Sequence, residues 1–334
     1  MISLPDFRYQ QIVVHVAGGS GEKLKFRCDN LVVEDKEGEV VLQHSCHRTF
    51  ALFVIGEISL TSVLVQKAVQ YAFPIVLMNR NLHVTARINS GAEGNTLLRR
   101  IQYGLDEASR LDIARELIRQ KVANQAALLG RLRHVSQEDR EAKNWLDAVS
   151  TSRARNGREL MGMEGNASRT FFSAYFRPLN WARREPRCKR DIPNLLLDIG
   201  YTWLFNFMDA LLGLYGFDPY CGVLHTFFYQ RKSLVCDMVE PFRCIIDQRL
   251  RKAHALRQIH EDDFFVQDGR YRLEWKKQSH YTKLFFKDIL QHKEDMFRYC
   301  QDFYRWLMRG RTMAEFPKFK IGGNDAPDRV RHPE

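Results

Sequence analysis

"DPYCGVLHTFFYQRKSLVCDMVEPFR", residues 218–243, sets His225, Asp237 and Glu240 among aromatic and aliphatic residues that otherwise read as core. Isolated charges in apolar surroundings are costly unless they are paired or bind a metal. Asp237 and Glu240 stand three residues apart, so on one helix they share a face. Val235, Met238, Val239 and Phe242 surround them with apolar material. Ser233 reads as the N-cap of that helix. Pro241 removes the hydrogen bond to the Asp237 carbonyl and is expected to kink the helix beside the acids. One imidazole and two carboxylates form a mixed nitrogen–oxygen set suited to Mg²⁺ or Mn²⁺, with Zn²⁺ chemically open as well. Alone, His225 reads better as a core histidine bonded to a carbonyl.

Outward from this stretch the periodicity is helical. Helices are expected over 194–213, 233–257 and 281–308, and "LDEASRLDIARELIRQKVANQAALL" repeats apolar residues every three or four positions. "SQED" at 136–139 reads as a capping box. Before residue 90 the pattern changes: "QIVVHV", "KLKFRCDNLVVEDKEGEVVLQ", "ALFVIG" and "PIVLMN" read as strands, with one helix at "TSVLVQKAVQYA". The fold class is therefore α+β, with a small N-terminal β-rich domain (1–90) ahead of a larger all-α catalytic domain (97–315). A linker is expected at 91–96, overlapping "NSGAEGN" (89–95), and a flexible tail at 316–334.

The formal charge is +11, and it is unevenly placed: residues 1–95 carry 9 Lys/Arg and 9 Asp/Glu, the remainder 42 against 31. A basic excess confined to the helical part points to a polyanion there, nucleic acid first. No apolar run reaches the length a membrane span needs, and the N-terminus lacks the basic and apolar segments of a secretory signal. Seven scattered cysteines without a CxxC pair read as reduced thiols inside a cell.

A second acid stands out in "RELMGMEGNASRTFFSAYF". Glu164 lies between Gly162 and Gly165, and side chains missing on either side let another backbone or a phosphodiester approach its carboxylate. A solvent-facing glutamate at a helix turn is the plainer reading of this fragment.

Together, "MEGNASRTFFSAYF", "DPYCGVLH" and "KSLVCDMVEPFR" resemble the signature blocks of the CRISPR-associated spacer-acquisition integrase. "LFVIGEISLTS", "FPIVLMNRNLHVTARI" and "IPNLLLDIGY" are similar to further segments of that family. The resemblance implies a metal centre of Glu164, His225 and Glu240 holding Mg²⁺ or Mn²⁺, with Asp237 auxiliary to the catalytic set. Many members carry aspartate at the last position; glutamate still ligates, through a longer arm. It also implies integration of short protospacer DNA into a CRISPR array by 3′-OH transesterification, in antiviral defence. The expected partners are double-stranded DNA, a second copy in a homodimer, and a small CRISPR-associated adaptation protein bridging two dimers, in a prokaryotic cytoplasm with no membrane. Two other classes stay open: a stand-alone metal-dependent nuclease on branched DNA in repair, and a non-catalytic DNA-binding scaffold.

Cations near these blocks are candidates for phosphate contact: Arg177, Arg183 and Arg184 in the basic, aromatic loop, and Arg231, Lys232 and Arg243 beside the acids. Arg243 could instead pair with Asp237 or Asp247. "IHEDDFF" at 259–265 gathers one histidine and three acids but reads as an acidic loop before a hairpin around "QDGR".

Overall fold

The computed structural model describes residues 3–18, 21–80, 82–88, 94–181, 183–225 and 230–322. A short helix, α1 (Leu4–Tyr9), opens with a Ser3–Asp6 capping box. From its end to Ile88 the chain builds eight strands and one helix: β1 (Gln11–Val16), β2 (Lys23–Arg27), β3 (Asn30–Glu34), β4 (Val40–Ser45), β5 (Thr49–Ile55), β6 (Ser59–Leu60), α2 (Ser62–Gln70), β7 (Ile75–Met78) and β8 (Val84–Ile88). They form two four-stranded sheets, ordered β1-β5-β7-β8 and β4-β3-β2-β6.

Strand β5 explains how the two halves of the chain join. All seven of its residues are buried. With side chains alternating across a strand, Leu52 and Val54 enter the core between the sheets with Leu24, Leu31 and Ile75. Ala51, Phe53 and Ile55 face the other way, into the helical core, and Phe50 joins them because the register with β1 shifts at that point. Phe53 meets Trp203 edge to face at 5.8 Å. A strand apolar on both faces is sandwiched, which is why it reads as a continuous hydrophobic run.

The helical domain comprises α3 (Thr96–Tyr103), α4 (Glu107–Leu129), α5 (Gln137–Ala148), α6 (Gly157–Tyr175), α7 (Ile192–Gly213), α8 (Ser233–Met238), α9 (Arg243–Ala255), α10 (Gln278–Gln291) and α11 (Lys293–Arg309). Between α9 and α10 a hairpin pairs β9 (Phe264–Gln267) with β10 (Arg270–Leu273). Its Asp268–Gly269 turn has positive φ at both positions, the geometry a two-residue hairpin prefers. The expected capping box at Ser136–Asp139 is present. α1 docks here as well: Phe7 stacks on Phe297 of α11 at 4.4 Å.

Three expectations are revised. The helix expected over 281–308 is two, α10 and α11, meeting at His292. The cap of α8 is Lys232, and Ser233 is the first helical residue. Residues 316–321 are not loose: Phe316, Phe319 and Ile321 are buried. Gln120 Nε2 donates to the Pro317 carbonyl (2.8 Å), and Gln120 Oε1 accepts from the Phe319 amide (2.9 Å). Asn124 does the same for Phe319 and Ile321 at 3.2 and 2.9 Å. The rest of the expected tail, 323–334, and the linker positions 91–93 lie outside the described residues. Helix α7 has the length and composition to span a bilayer, but it is a core helix: 78% of its most apolar 18-residue stretch is buried in the fold.

Candidate catalytic centre

Four elements converge on one spot: α4, α6, the segment 218–225 after α7, and the broken helix 233–255. Pro241 produces the break. The α-helix stops at Met238, a 3₁₀ turn covers Glu240–Phe242, and α9 starts at Arg243. Asn124 Nδ2 of α4 donates to the Pro241 carbonyl at 3.0 Å and pins the turn against α4. The kink expected from the sequence is thus a full interruption, and it gives the two acids of this stretch different partners.

Asp237 is wholly buried and spent on the loop. Its Oδ2 accepts from the amides of Val223 (2.6 Å) and Leu224 (3.1 Å); its Oδ1 accepts from the His225 amide (3.1 Å) and lies 2.5 Å from His225 Nδ1. Gly222 permits this approach, since a Cβ there would stand 2.6 Å from Asp237 Oδ2. The carboxylate fixes the ring, and an imidazole donating from Nδ1 keeps the lone pair of Nε2 for a ligand.

Glu240 turns toward α4. Its Oε2 lies 2.7 Å from Lys121 Nζ and 2.9 Å from Arg243 Nε. Burial alone would push this carboxyl up; the Arg243 and Lys121 charges outweigh it and hold it down at about 2. Glu164, in the middle of α6, shares the same ammonium: Lys121 Nζ donates to Glu164 Oε1, which also accepts from Ser168 Oγ at 2.8 Å. Burial opposes ionisation here too, and Lys121 again outweighs it, so the carboxyl sits below its usual range. Lys121 itself is 9% exposed. Burial disfavours its charge, but Glu240 and Glu164 more than compensate and raise its pKa. Glu164 keeps an open flank: its side chain is 26% exposed, and a Cβ built at the next residue, Gly165, meets nothing within 4 Å.

Glu164 and Glu240, 76 residues apart in the chain, therefore meet at a single cation, with His225 oriented nearby by Asp237. Among the described residues no three His, Cys, Asp or Glu side chains lie close enough as they stand to hold an ion. The donor chemistry nonetheless fits a hard divalent ion: two ionised carboxylates reaching one point, and an imidazole with a free ring nitrogen.

Behind Glu240 is a second buried layer. Tyr201 Oη donates to Asp247 Oδ1 at 2.5 Å, and the Arg243 guanidinium stacks 4.6 Å from the Tyr201 ring centroid. Burial pushes Asp247 up to about 7, against the hydrogen bond from Tyr201. Lys121, Ser168 and this Tyr201–Asp247 layer were missed from the sequence. The signal for Lys121 was present: it follows Leu117 by four positions on the buried stripe of α4, and a charge on such a stripe requires a partner.

Most of the cations nominated for DNA already have partners within the chain. Arg243 pairs with Glu240, not with Asp237 or Asp247. Lys232 joins Arg87 of β8 on Asp209, at 2.6 and 2.5 Å. Arg184 holds Asp198 at 2.5 Å and stacks over Tyr201. Arg177 pairs with Glu138 and Arg183 with Glu185, both partly exposed. Arg231 lies beside Cys236. In the acidic loop, Asp263 is taken by Lys277 (2.7 Å) and Tyr281 (3.0 Å), a structural arrangement. All seven cysteines are unpaired.

The model of a family described as "CRISPR associated protein Cas1" matches residues 16–287. The CRISPR-associated endonuclease Cas1 1 of Moorella thermoacetica is 30% identical over 265 residues, covering 73% of this chain and 76% of the relative. Among solved structures, a Cas6-RT-Cas1–Cas2 complex superimposes with a TM-score of 0.79 at 20% identity, over 93% of this chain and 37% of that longer one. A casposase bound to integration product gives 0.77 at 18% identity, over 95% and 96%. At these identities the structural likenesses show the fold, a β-rich N-terminal region followed by a helical domain.

Proposed function

This chain belongs to the Cas1 family of CRISPR-associated proteins, and from that premise we propose that it is a DNA endonuclease and integrase of CRISPR adaptation. The reaction is a transesterification: a protospacer 3′-hydroxyl attacks a phosphodiester at a repeat boundary, once on each strand, and a deoxyribose 3′-oxygen leaves. Each step exchanges one phosphodiester for another, so no nucleotide cofactor is required. The observation that carries the reading is the meeting of Glu164 and Glu240 at one cation beside an imidazole aimed by Asp237.

Glu164, Glu240 and His225 Nε2 would hold a divalent ion, Mg²⁺ or Mn²⁺. Such an ion supplies Lewis-acid activation of the hydroxyl and stabilises charge on the phosphoryl oxygens. The chain's own residues do the rest. Asp237 keeps His225 in one tautomer and orientation. Arg243 keeps Glu240 ionised from behind. The open flank at Gly165 leaves room for the DNA strand beside Glu164. Exposed Arg169 of α6, which makes no ion pair among the described residues, suits a phosphate contact on that flank.

The protein would work on double-stranded DNA with a small adaptation partner, a reading that the fold shared with the Cas6-RT-Cas1–Cas2 complex and the product-bound casposase supports; a homodimer in a prokaryotic cytoplasm completes the proposal, from the family resemblance. The test is integration of a protospacer duplex into a supercoiled repeat-bearing plasmid with the partner present. Glu164→Ala and Glu240→Ala are expected to abolish strand transfer while retaining cooperative unfolding. Undiminished integration by either variant overturns the assignment.

A further inference from the structure

The ammonium of Lys121 occupies the place where the proposed function needs a divalent ion. It bridges carboxylates from α6 and the 3₁₀ turn, 2.7 Å from Glu240 Oε2 and in hydrogen-bond contact with Glu164 Oε1. Its side chain is almost fully buried, and these two acids neutralise it. An ion bonded to both oxygens, at about 2.0–2.1 Å for Mg²⁺, and an ammonium bridging the same oxygens cannot share that space. Resting on that reading of the centre, we propose that Lys121 is the resident counter-cation of the site, and that a divalent ion enters by exchanging with its ammonium.

The exchange explains how two acids can be brought together before the ion arrives. Two carboxylates this close, one buried and one partly buried, repel without a cation between them, which favours a proton on one of them. Lys121 neutralises the pair in the metal-free protein, and Arg243 remains on the outer side of Glu240 after the exchange. Ion entry then costs the breaking of two ammonium contacts, so the native lysine weakens ion binding while stabilising the empty fold.

The experiment is Mn²⁺ titration followed by loss of the free-ion electron paramagnetic resonance signal, on the metal-free full chain and on Lys121→Met. With the competing charge removed, the variant should bind Mn²⁺ about tenfold tighter or more, and should melt lower than the parent without metal and recover on adding it. Equal or weaker Mn²⁺ binding by Lys121→Met overturns the exchange alone. No Mn²⁺ binding by parent or variant overturns the metal centre as well. Should Lys121→Met not fold, ¹⁵N spectra of the parent's lysine ammonium groups read the same event: the Lys121 signal must shift on adding Mg²⁺, and an unmoved signal in a protein that binds Mg²⁺ refutes the proposal.

Discussion

Replacing Asp237 with asparagine isolates what holds His225 in place. The side chain keeps its size and loses its charge and one acceptor. Each carboxylate oxygen faces two N–H donors: Oδ2 those of Val223 and Leu224, Oδ1 the amide and Nδ1 of His225. Turned one way, the NH₂ group of the new amide points at the amides of Val223 and Leu224; turned the other, it faces the His225 amide and Nδ1, which can accept only by giving up the tautomer that leaves Nε2 for a ligand. Two charge-assisted bonds are lost, at about 1.5–3 kcal/mol each, and buried donors are left unsatisfied. A loss of about 3–6 kcal/mol results, taken first by the loop 222–225, since helix packing elsewhere is untouched. Urea unfolding reads the global part of this loss, and amide hydrogen exchange of residues 223–225 reads the local part. Strand transfer should fall with it, because His225 is no longer aimed. An Asp237→Asn protein within about 0.5 kcal/mol of the parent, with the amides of 223–225 still protected, would refute this role for the carboxylate.

Two further predictions concern the layers around the centre. Asp247 releases its proton near the ordinary value of 3.8 when unfolded but only at about 7 when buried in the fold. Its contribution to stability is therefore fully present below about pH 4 and is lost as pH rises through about 7. Asp247→Asn keeps an acceptor for Tyr201 and should lose less stability than the parent between about pH 5 and pH 8 in urea unfolding; parallel losses would contradict this. Ending the chain after Glu315 strips Phe316, Phe319 and Ile321 from the core and leaves the amides of Gln120 and Asn124 without their partners. At about 1.5–3 kcal/mol per buried apolar side chain, the loss is about 5 kcal/mol or more; a melting temperature unchanged by the truncation would show the segment to be dispensable.

How much of this could be read beforehand differs from residue to residue. The strands and helices announce themselves by period, and the hairpin by its Asp-Gly pair, because those signals are local. Pro241 announced the interruption between Asp237 and Glu240, but not its result, which is that the two acids turn to different elements. That depends on Asn124, 117 residues earlier in the chain. The division of the last helix pair at His292 has no glycine or proline to mark it. The nominated cations read as free because their partners, such as Asp209 for Lys232 and Asp198 for Arg184, lie across other elements. Residues 316–321 looked loose beside prolines and glycines, although Phe316, Phe319 and Ile321 are the kind of spaced apolar residues that dock on a helix. Lys121 shows the gap most plainly: an apolar stripe shows that a charge must be paired, and only the fold shows that both partners are the acids of the centre.

Whether Glu164, His225 and Glu240 close on one divalent ion is tested directly by diffraction from crystals grown with MnCl₂, recorded at the manganese edge. One strong anomalous peak is expected, bonded to a carboxylate oxygen of each glutamate and to His225 Nε2, with the Lys121 ammonium withdrawn from between the acids. Manganese bound elsewhere, with that ammonium still bridging Glu164 and Glu240, would contradict the proposed centre.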